Sequence, residues 1–347
     1  MDQWTRSGWA GLIAASAMAL LTALAPAGAQ QARSSAAAAS AASQASAPFR
    51  SANEWTVGVA GGLLEGTFIR FAAEIAIVLD DAPNLRILPM VTFGAVGNVE
   101  DLLYLKGVDV AITQADVLDH FRQQDKTASI DKRINYIMRF FQTEVHIYAR
   151  PEIRSLADLE GKPVNFNIKG TAGNLTGGIV FDRLGIKPQR LFLNNAVALE
   201  KMRTGEIAAM VHIVGKPNDL FAKFKPEPGF HFLPVEFSDK FADFYTPAEL
   251  TSEDYPNLLA PGESVPTLGV ATVLAVYNWP KGSDRERRVA RFVEYLFARF
   301  DRFQKPPFQP KWREMNLNAT VPGWTRYPVA EDILARLPAQ PPVPAGK

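Results

Sequence analysis

The chain has 347 residues, 37 Lys and Arg against 36 Asp and Glu, a net charge of +1 and no cysteine. A balance so close to zero gives no field that would hold nucleic acid or an anionic membrane surface. The missing cysteines exclude disulfides, thiol catalysis and thiolate metal sites. Stability must then come from core size, which 47% hydrophobic residues over this length can supply.

Residues 1–29 read as a secretory signal. Arg6 sits in a short leading region, Trp9 to Ala25 is apolar and uncharged, and Ala27-Gly28-Ala29 fits a small-residue cleavage site. The run is short for a bilayer span, which takes about 20 apolar residues. Residues 30–53, dominated by Ala and Ser as far as Pro48, carry almost nothing to bury and read as a disordered linker.

Three apolar, strand-like runs then end in glycine-bearing loops that open helix-like runs. The first loop, Gly61-Gly62-Leu63-Leu64-Glu65-Gly66-Thr67, precedes a helix over Phe68 to Leu79. The second, Thr92-Phe93-Gly94-Ala95-Val96-Gly97-Asn98, precedes a short helix over Asn98 to Tyr104, with Asn98 placed as its N-cap. The third, Lys169-Gly170-Thr171-Ala172-Gly173-Asn174, precedes a helix over Leu175 to Leu184. A helix N-terminus offers unpaired N–H groups and the positive end of a dipole, and glycine lets a ligand approach them. Each junction therefore suits an anion such as a carboxylate.

Further strands are expected at Leu85 to Val91, Val108 to Ile112, Val145 to Ala149, Val164 to Phe166, Leu191 to Leu193 and Ala208 to Gly215, with a helix over Ala198 to Thr204. The long run Val270 to Tyr277 is expected to pair with Val145 to Ala149. Alternation of strands and helices gives an α/β class with parallel sheets. Val289, Phe292, Val293, Leu296, Phe297, Phe300 and Phe303 recur at helical spacing, the Arg285 to Arg288 cluster reads as a solvated helix start, and the tail from Pro328 reads as extended.

Catalytic signatures are missing: there is no G-x-S-x-G, Walker A, H-E-x-x-H or complete G-x-G-x-x-G. His120, His146, His212 and His231 are scattered without metal-ligand spacing. The expectation is a binding protein with no cofactor and no metal, not an enzyme.

Four segments resemble the TAXI-type solute receptors of tripartite ATP-independent periplasmic (TRAP) transporters. They are Thr92 to Val99, Val108 to Asp116, the S-L-x-D-L-x-G-K-x-V run from Ser155 to Val164, and Gly170 to Thr176. The resemblance covers roughly Trp55 to Tyr277. The chain departs from it at Leu63-Leu64-Glu65, at Ala95, where serine is usual, and at Ala172. The resemblance implies a type II periplasmic-binding fold of two Rossmann-like lobes, 54–144 with 277–347 and 145–276, joined by a hinge around a cleft. It also implies a monomeric periplasmic receptor that hands a small organic anion (a carboxylate, an amino acid such as glutamate, or a C4-dicarboxylate) to membrane permease subunits. The alternatives are the binding protein of an ABC transporter, an enzyme on the same fold with His212 or Glu65 as its base, and a sensor domain.

Ligand contacts are expected from Gly62, Glu65, Thr67, Thr92, Gly94, Gly97, Asn98, Gln114, Asp116, Lys169, Gly170, Thr171, Asn174, Thr176 and His212. Thr92, Gln114, Thr171 and Thr176 offer hydrogen-bonding side chains, and Lys169, Lys216 and Arg70 are the nearby cations, Lys169 first among them. N-terminal sequencing of the secreted protein is expected to begin at Gln30, and an intact Met1 on membrane-bound protein would contradict that.

Overall fold

The computed structural model describes residues 53–124, 129–223 and 227–337. The signal and linker expected over residues 1–52 lie outside the described residues. From Glu54 onward the chain forms one compact unit. Its first element, β1 (Thr56–Gly62), is followed by α1 (Thr67–Leu79), β2 (Arg86–Val91), α2 (Ala95–Tyr104) and β3 (Val110–Gln114). Two short helices, α3 (Val117–Gln123) and α4 (Ile130–Arg133), lead into the long strand β4 (Ile134–Ala149). A second series repeats the first: β5 (Pro163–Asn165), α5 (Ala172–Leu184), β6 (Gln189–Leu191), α6 (Asn195–Arg203) and β7 (Ala209–Val214). A short helix α7 (Asp219–Ala222) and strands β8 (His231–Phe232) and β9 (Tyr245–Thr251) precede the second long strand, β10 (Ser264–Tyr277). Helices α8 (Asp284–Ala298), α9 (Phe300–Phe303) and α10 (Pro328–Leu334) complete the described chain.

The strands form one ten-stranded sheet with the order β2-β1-β3-β10-β4-β7-β5-β6, with β8 on β4 and β9 on β10. The triplets β2-β1-β3 and β6-β5-β7 are parallel, and the antiparallel pair β10–β4 joins them. In each triplet the chain moves to one side of the central strand and then to the other, which makes a switch point beyond the carboxyl ends of β1 and β5.

The register corrects one expectation. Val270 to Tyr277 pairs with Ile134 to Thr143, while Val145 to Ala149 pairs with β7. The lobe boundary drawn at Glu144 thus falls inside a continuous strand, at the residue facing both Gly269 of β10 and Val214 of β7. The sequence run was too short to show that one strand serves two partners.

Helices form where the apolar spacing predicts them, with changes at their ends. The α2 helix begins three residues early, with Gly94 at its N-cap, so Asn98 lies within it and is no cap. Fully buried, the Asn98 amide instead donates to the carbonyls of Gly61 and Ile112 at 3.0 and 2.6 Å. The expected helix through Phe303 breaks at Arg299 into α8 and α9. Arg285 and Arg288 are not merely solvated: Arg288 donates to the Thr56 carbonyl at 3.0 Å, and Arg285 stacks over Trp279 and faces buried Asp109. The tail is not extended from Pro328. Pro328 opens α10, where the missing N–H costs nothing.

Phe71 of α1 stacks on Phe141 of β4 at 4.0 Å, and Trp312 stacks on Phe303 at 4.2 Å. Trp312 also donates its indole N–H to buried Glu74 of α1 at 2.6 Å, which fastens the C-terminal segment to the first triplet. Close by, Lys311 and Glu144 form a buried ion pair at 2.8 Å. Lys311→Met would leave the Glu144 carboxylate buried without its cation, at a cost of about 3–5 kcal/mol. Thermal denaturation is expected to show that loss, and a Glu144→Gln, Lys311→Met double variant is expected to recover most of it.

Candidate functional site

The three glycine loops meet at one cavity of about 50 Å³. Its lining includes Gly62, Leu63, Glu65, Gly66, Thr67 and Phe68 from the first loop, Phe93 to Ala95 from the second, and Asn167 and Thr171 to Gly173 from the third. The end of β7, His212 to Val214, makes the remaining wall. The N-cap residues of α1, α2 and α5 (Gly66, Gly94 and Thr171) all stand in that lining, so three helix N-termini reach the same space.

Local sequence explains the convergence. Gly94 and Ala95 have φ of +84° and +32°, which turns the chain sharply into α2. Gly173 and Gly177 face the sheet: a Cβ on Gly173 would lie 3.0 Å from the Phe166 carbonyl, and one on Gly177 would lie 2.8 Å from Val211. Only glycine lets α5 pack that close to β5 and β7 and carry its N-terminus to the strand ends. The Thr171 hydroxyl accepts from the Asn174 N–H at 3.3 Å.

His212 is the polar side chain of the β7 wall. Asn195 Nδ2 donates to its Nδ1 at 3.2 Å, while Nε2 is buried without a partner. Burial pulls the His212 pKa down from 6.5 to about 4, so the ring is neutral at physiological pH. With Nδ1 accepting, the proton sits on Nε2, which makes His212 a donor. His146, on the neighbouring strand, is buried as well, with its pKa pulled down to about 3, first by burial and then by His212. Its ring bonds the Glu144 carbonyl at 2.9 Å and the Tyr255 hydroxyl at 2.7 Å.

Of the residues expected from the sequence, Gly62, Glu65, Thr67, Gly94, Thr171 and His212 line the cavity. The others lie elsewhere. Thr92 donates to Asn98 and accepts from Gly94 N–H. Gly97 donates its N–H to the Gly170 carbonyl at 3.2 Å, which links the second and third loops beside the cavity. Asn174 is held through its backbone by Thr171. Gln114, Asp116 and Thr176 form a buried network: the Thr176 hydroxyl faces Gln114 Oε1 at 3.0 Å and Asp116 Oδ2 at 2.7 Å, and Gln114 donates to Thr143 at 2.9 Å. Tyr245 adds a bond to Asp116 at 3.0 Å. Burial raises the Asp116 pKa against the opposing pull of Thr176 and Tyr245.

The expected cations do not reach the lining. Lys169 is exposed, with its ammonium 5.6 Å from the Phe192 ring centre. Lys216 pairs with Asp254 at 2.8 Å, and Arg70 with Glu74 at 3.4 Å. Several lining residues were not singled out from the sequence, namely Phe68, Asn167, Ile213 and Val214, and neither was Asn195 behind His212. The aromatic residues flanking the glycines were the available signal. Among the described residues, no group of three or more His, Asp or Glu could hold a metal ion, and no helix is long and apolar enough to cross a membrane.

Two parallel triplets joined by a crossed antiparallel pair, with a cavity beyond the strand ends, define a type II periplasmic-binding fold. Residues 66–278 match the NMT1-like family, and the chain belongs to it. Among solved structures, it is similar to an amino acid ABC transporter substrate-binding protein from Streptococcus pneumoniae bound to L-arginine, with 14% identity, a TM-score of 0.41, and coverage of 76% of this chain and 96% of that one. It is similar to the P235GK mutant of ArgBP from T. maritima, with 16% identity, a TM-score of 0.40, and coverage of 70% and 89%. The effector-binding domain of a BenM variant matches at 14% identity and a TM-score of 0.41, covering 74% of this chain and all of that one. None of the curated proteins matches the sequence.

The two depressed histidines set a pH dependence. Between pH 6.5 and about 4 the unfolded chain binds protons at these rings that the folded chain does not. The contribution of these rings is therefore full above 6.5 and falls as pH drops through that window, by up to about 1.4 kcal/mol per unit for each ring. Chemical denaturation from pH 7.5 to 5 is expected to show this decline, and it should be shallower in His212→Phe.

Proposed function

We propose that the protein is a periplasmic solute receptor that captures a small organic anion between two lobes and delivers it to a membrane permease. The observation that carries this reading is the meeting of three helix N-termini from both triplets at one cavity, with an unpartnered His212 Nε2 at its wall. Each terminus presents N–H groups without intrahelical partners and the positive end of a dipole. Such groups recognise negative charge.

In this reading the triplets are the cores of two lobes, and the crossings of β4 and β10 are the hinge. Closure is supported by bonds between distant segments around the cavity. Gly97 N–H meets the Gly170 carbonyl, Gly215 N–H meets the Thr67 hydroxyl at 3.3 Å, and Asn218 Nδ2 meets the Glu65 carbonyl at 3.0 Å. The TAXI-type resemblance of the glycine loops favours an ion-coupled TRAP permease over an ATP-driven one. Binding without turnover accords with a buried neutral histidine whose ring is held by an amide and not by a carboxylate.

Mass spectrometry of what the denatured protein releases is expected to identify an organic acid. A charge-assisted bond of the kind His212 offers contributes about 1.5–3 kcal/mol, or about tenfold or more in affinity. His212→Phe should weaken calorimetric binding of that acid by at least this factor, whereas Lys169→Ala, outside the lining, should change it less. Release of a neutral sugar or an organic cation would remove the anion reading.

A further inference from the structure

The cavity is more selective than a general anion site, and two of its features bear on which anion fits. They are the identity of its charged residues and the chemistry of its walls.

The space of about 50 Å³ is lined by residues from all three loops and β7.

No Lys or Arg lines the cavity, and its one charged residue is acidic, Glu65. That carboxylate is half-buried on the first loop and accepts a weak bond from Asn194 at 3.5 Å. A second carboxylate on the ligand would meet this charge with no cation in the lining to offset it. The donors are instead neutral: the first-turn N–H groups of three helices, apart from those of Gly97 and Asn174, which are already bonded, and His212 Nε2–H, unpartnered on a buried ring of the lining.

The walls between these donors are apolar, formed by Leu63, Phe68, Phe93, Ala172, Ile213 and Val214. Asn167 Oδ1 accepts the Ile168 N–H at 2.8 Å, and the Thr171 hydroxyl donates to the Ile168 carbonyl at 2.7 Å. The Glu65 carboxylate is the one charged acceptor of the lining.

Resting on the receptor reading, we propose that the ligand is an aliphatic monocarboxylate. Its carboxylate lies against the helix N-termini and His212 Nε2–H, its alkyl end lies against the apolar wall, and Glu65 excludes a second negative charge.

Calorimetry on the purified protein, unfolded and refolded to strip bound ligand, tests this with sodium propionate, sodium succinate, L-glutamate and L-alanine. Propionate is expected to bind at least tenfold more tightly than succinate or L-glutamate. In Glu65→Gln the gap between propionate and succinate should narrow at least threefold, and an unchanged gap would overturn the part assigned to Glu65. Succinate or glutamate binding as tightly as propionate would overturn the monocarboxylate class while leaving an organic-anion receptor in place. Binding of L-alanine without propionate would overturn the class as well, because recognition would then depend on an ammonium group held at Glu65. If none of the four binds and glucose or L-arginine does, both the inference and the receptor reading beneath it fall.

Discussion

Glu144 occupies the point where β4 passes from one neighbour to the other, facing Gly269 of β10 and Val214 of β7 at the same residue. Its carboxylate is buried there, paired with Lys311 at 2.8 Å and accepting the Lys216 N–H at 2.8 Å. Burial raises its pKa, and the Lys311 ammonium opposes that rise. A charge in this position is tolerated only while its partners stay in place. Those partners come from the C-terminal segment and from the chain just after β7, so one carboxylate ties the two triplets and the C-terminal segment to a single register. The relative placement of the three helix N-termini depends on that register.

The cavity uses oriented dipoles where many anion sites use side-chain cations. A helix N-terminus carries only about half an elementary charge, but its N–H groups are fixed by the backbone and lose little freedom on binding. Neutral His212 extends the same logic. A charged imidazolium in this place would face the full penalty of burial, whereas a neutral ring donates a hydrogen bond without it. Asn195 sets the tautomer, and α6 supplies Asn195 from the segment that follows β6.

Behind the cavity, Gln114, Asp116, Thr143, Thr176 and Tyr245 form a polar network within a largely apolar core. It joins the end of β3 to α5, β4 and β9, and so crosses between the triplets. Hydrogen bonds in such surroundings are strong when satisfied and costly when broken, which favours a few well-defined arrangements over a continuum. Asp116 Oδ1 is the one atom of the Asp116 carboxylate without a partner, and the residue lines a separate cavity of about 340 Å³ together with Arg183 and Phe244.

Much of this was legible along the chain. The alternation of apolar runs and helical spacing set the α/β class, and the three glycine loops marked the junctions that line the cavity, because periodicity and glycine placement are local properties. The sequence also pointed to His212 at the end of a buried strand. Other features depended on residues far apart in sequence. Asn98 looked like a cap and became a clasp across β1 and β3, because α2 begins at Ala95, where Gly94 permits the turn. Gln114 and Thr176 carried the right donors, but they face each other and not the cavity, since β3 and α5 meet only after β4 and β10 have joined the triplets. Lys169 sits one residue from the third loop, yet its side chain turns outward over Phe192. The sequence by itself determined which segments are strands, helices and glycine turns, since those follow from short-range sterics and burial patterns. Tertiary structure alone decided which side chains share the cavity, that the lining carries no cation, and that Glu144 pairs with Lys311, because each of these is set by a long-range register that no local pattern encodes.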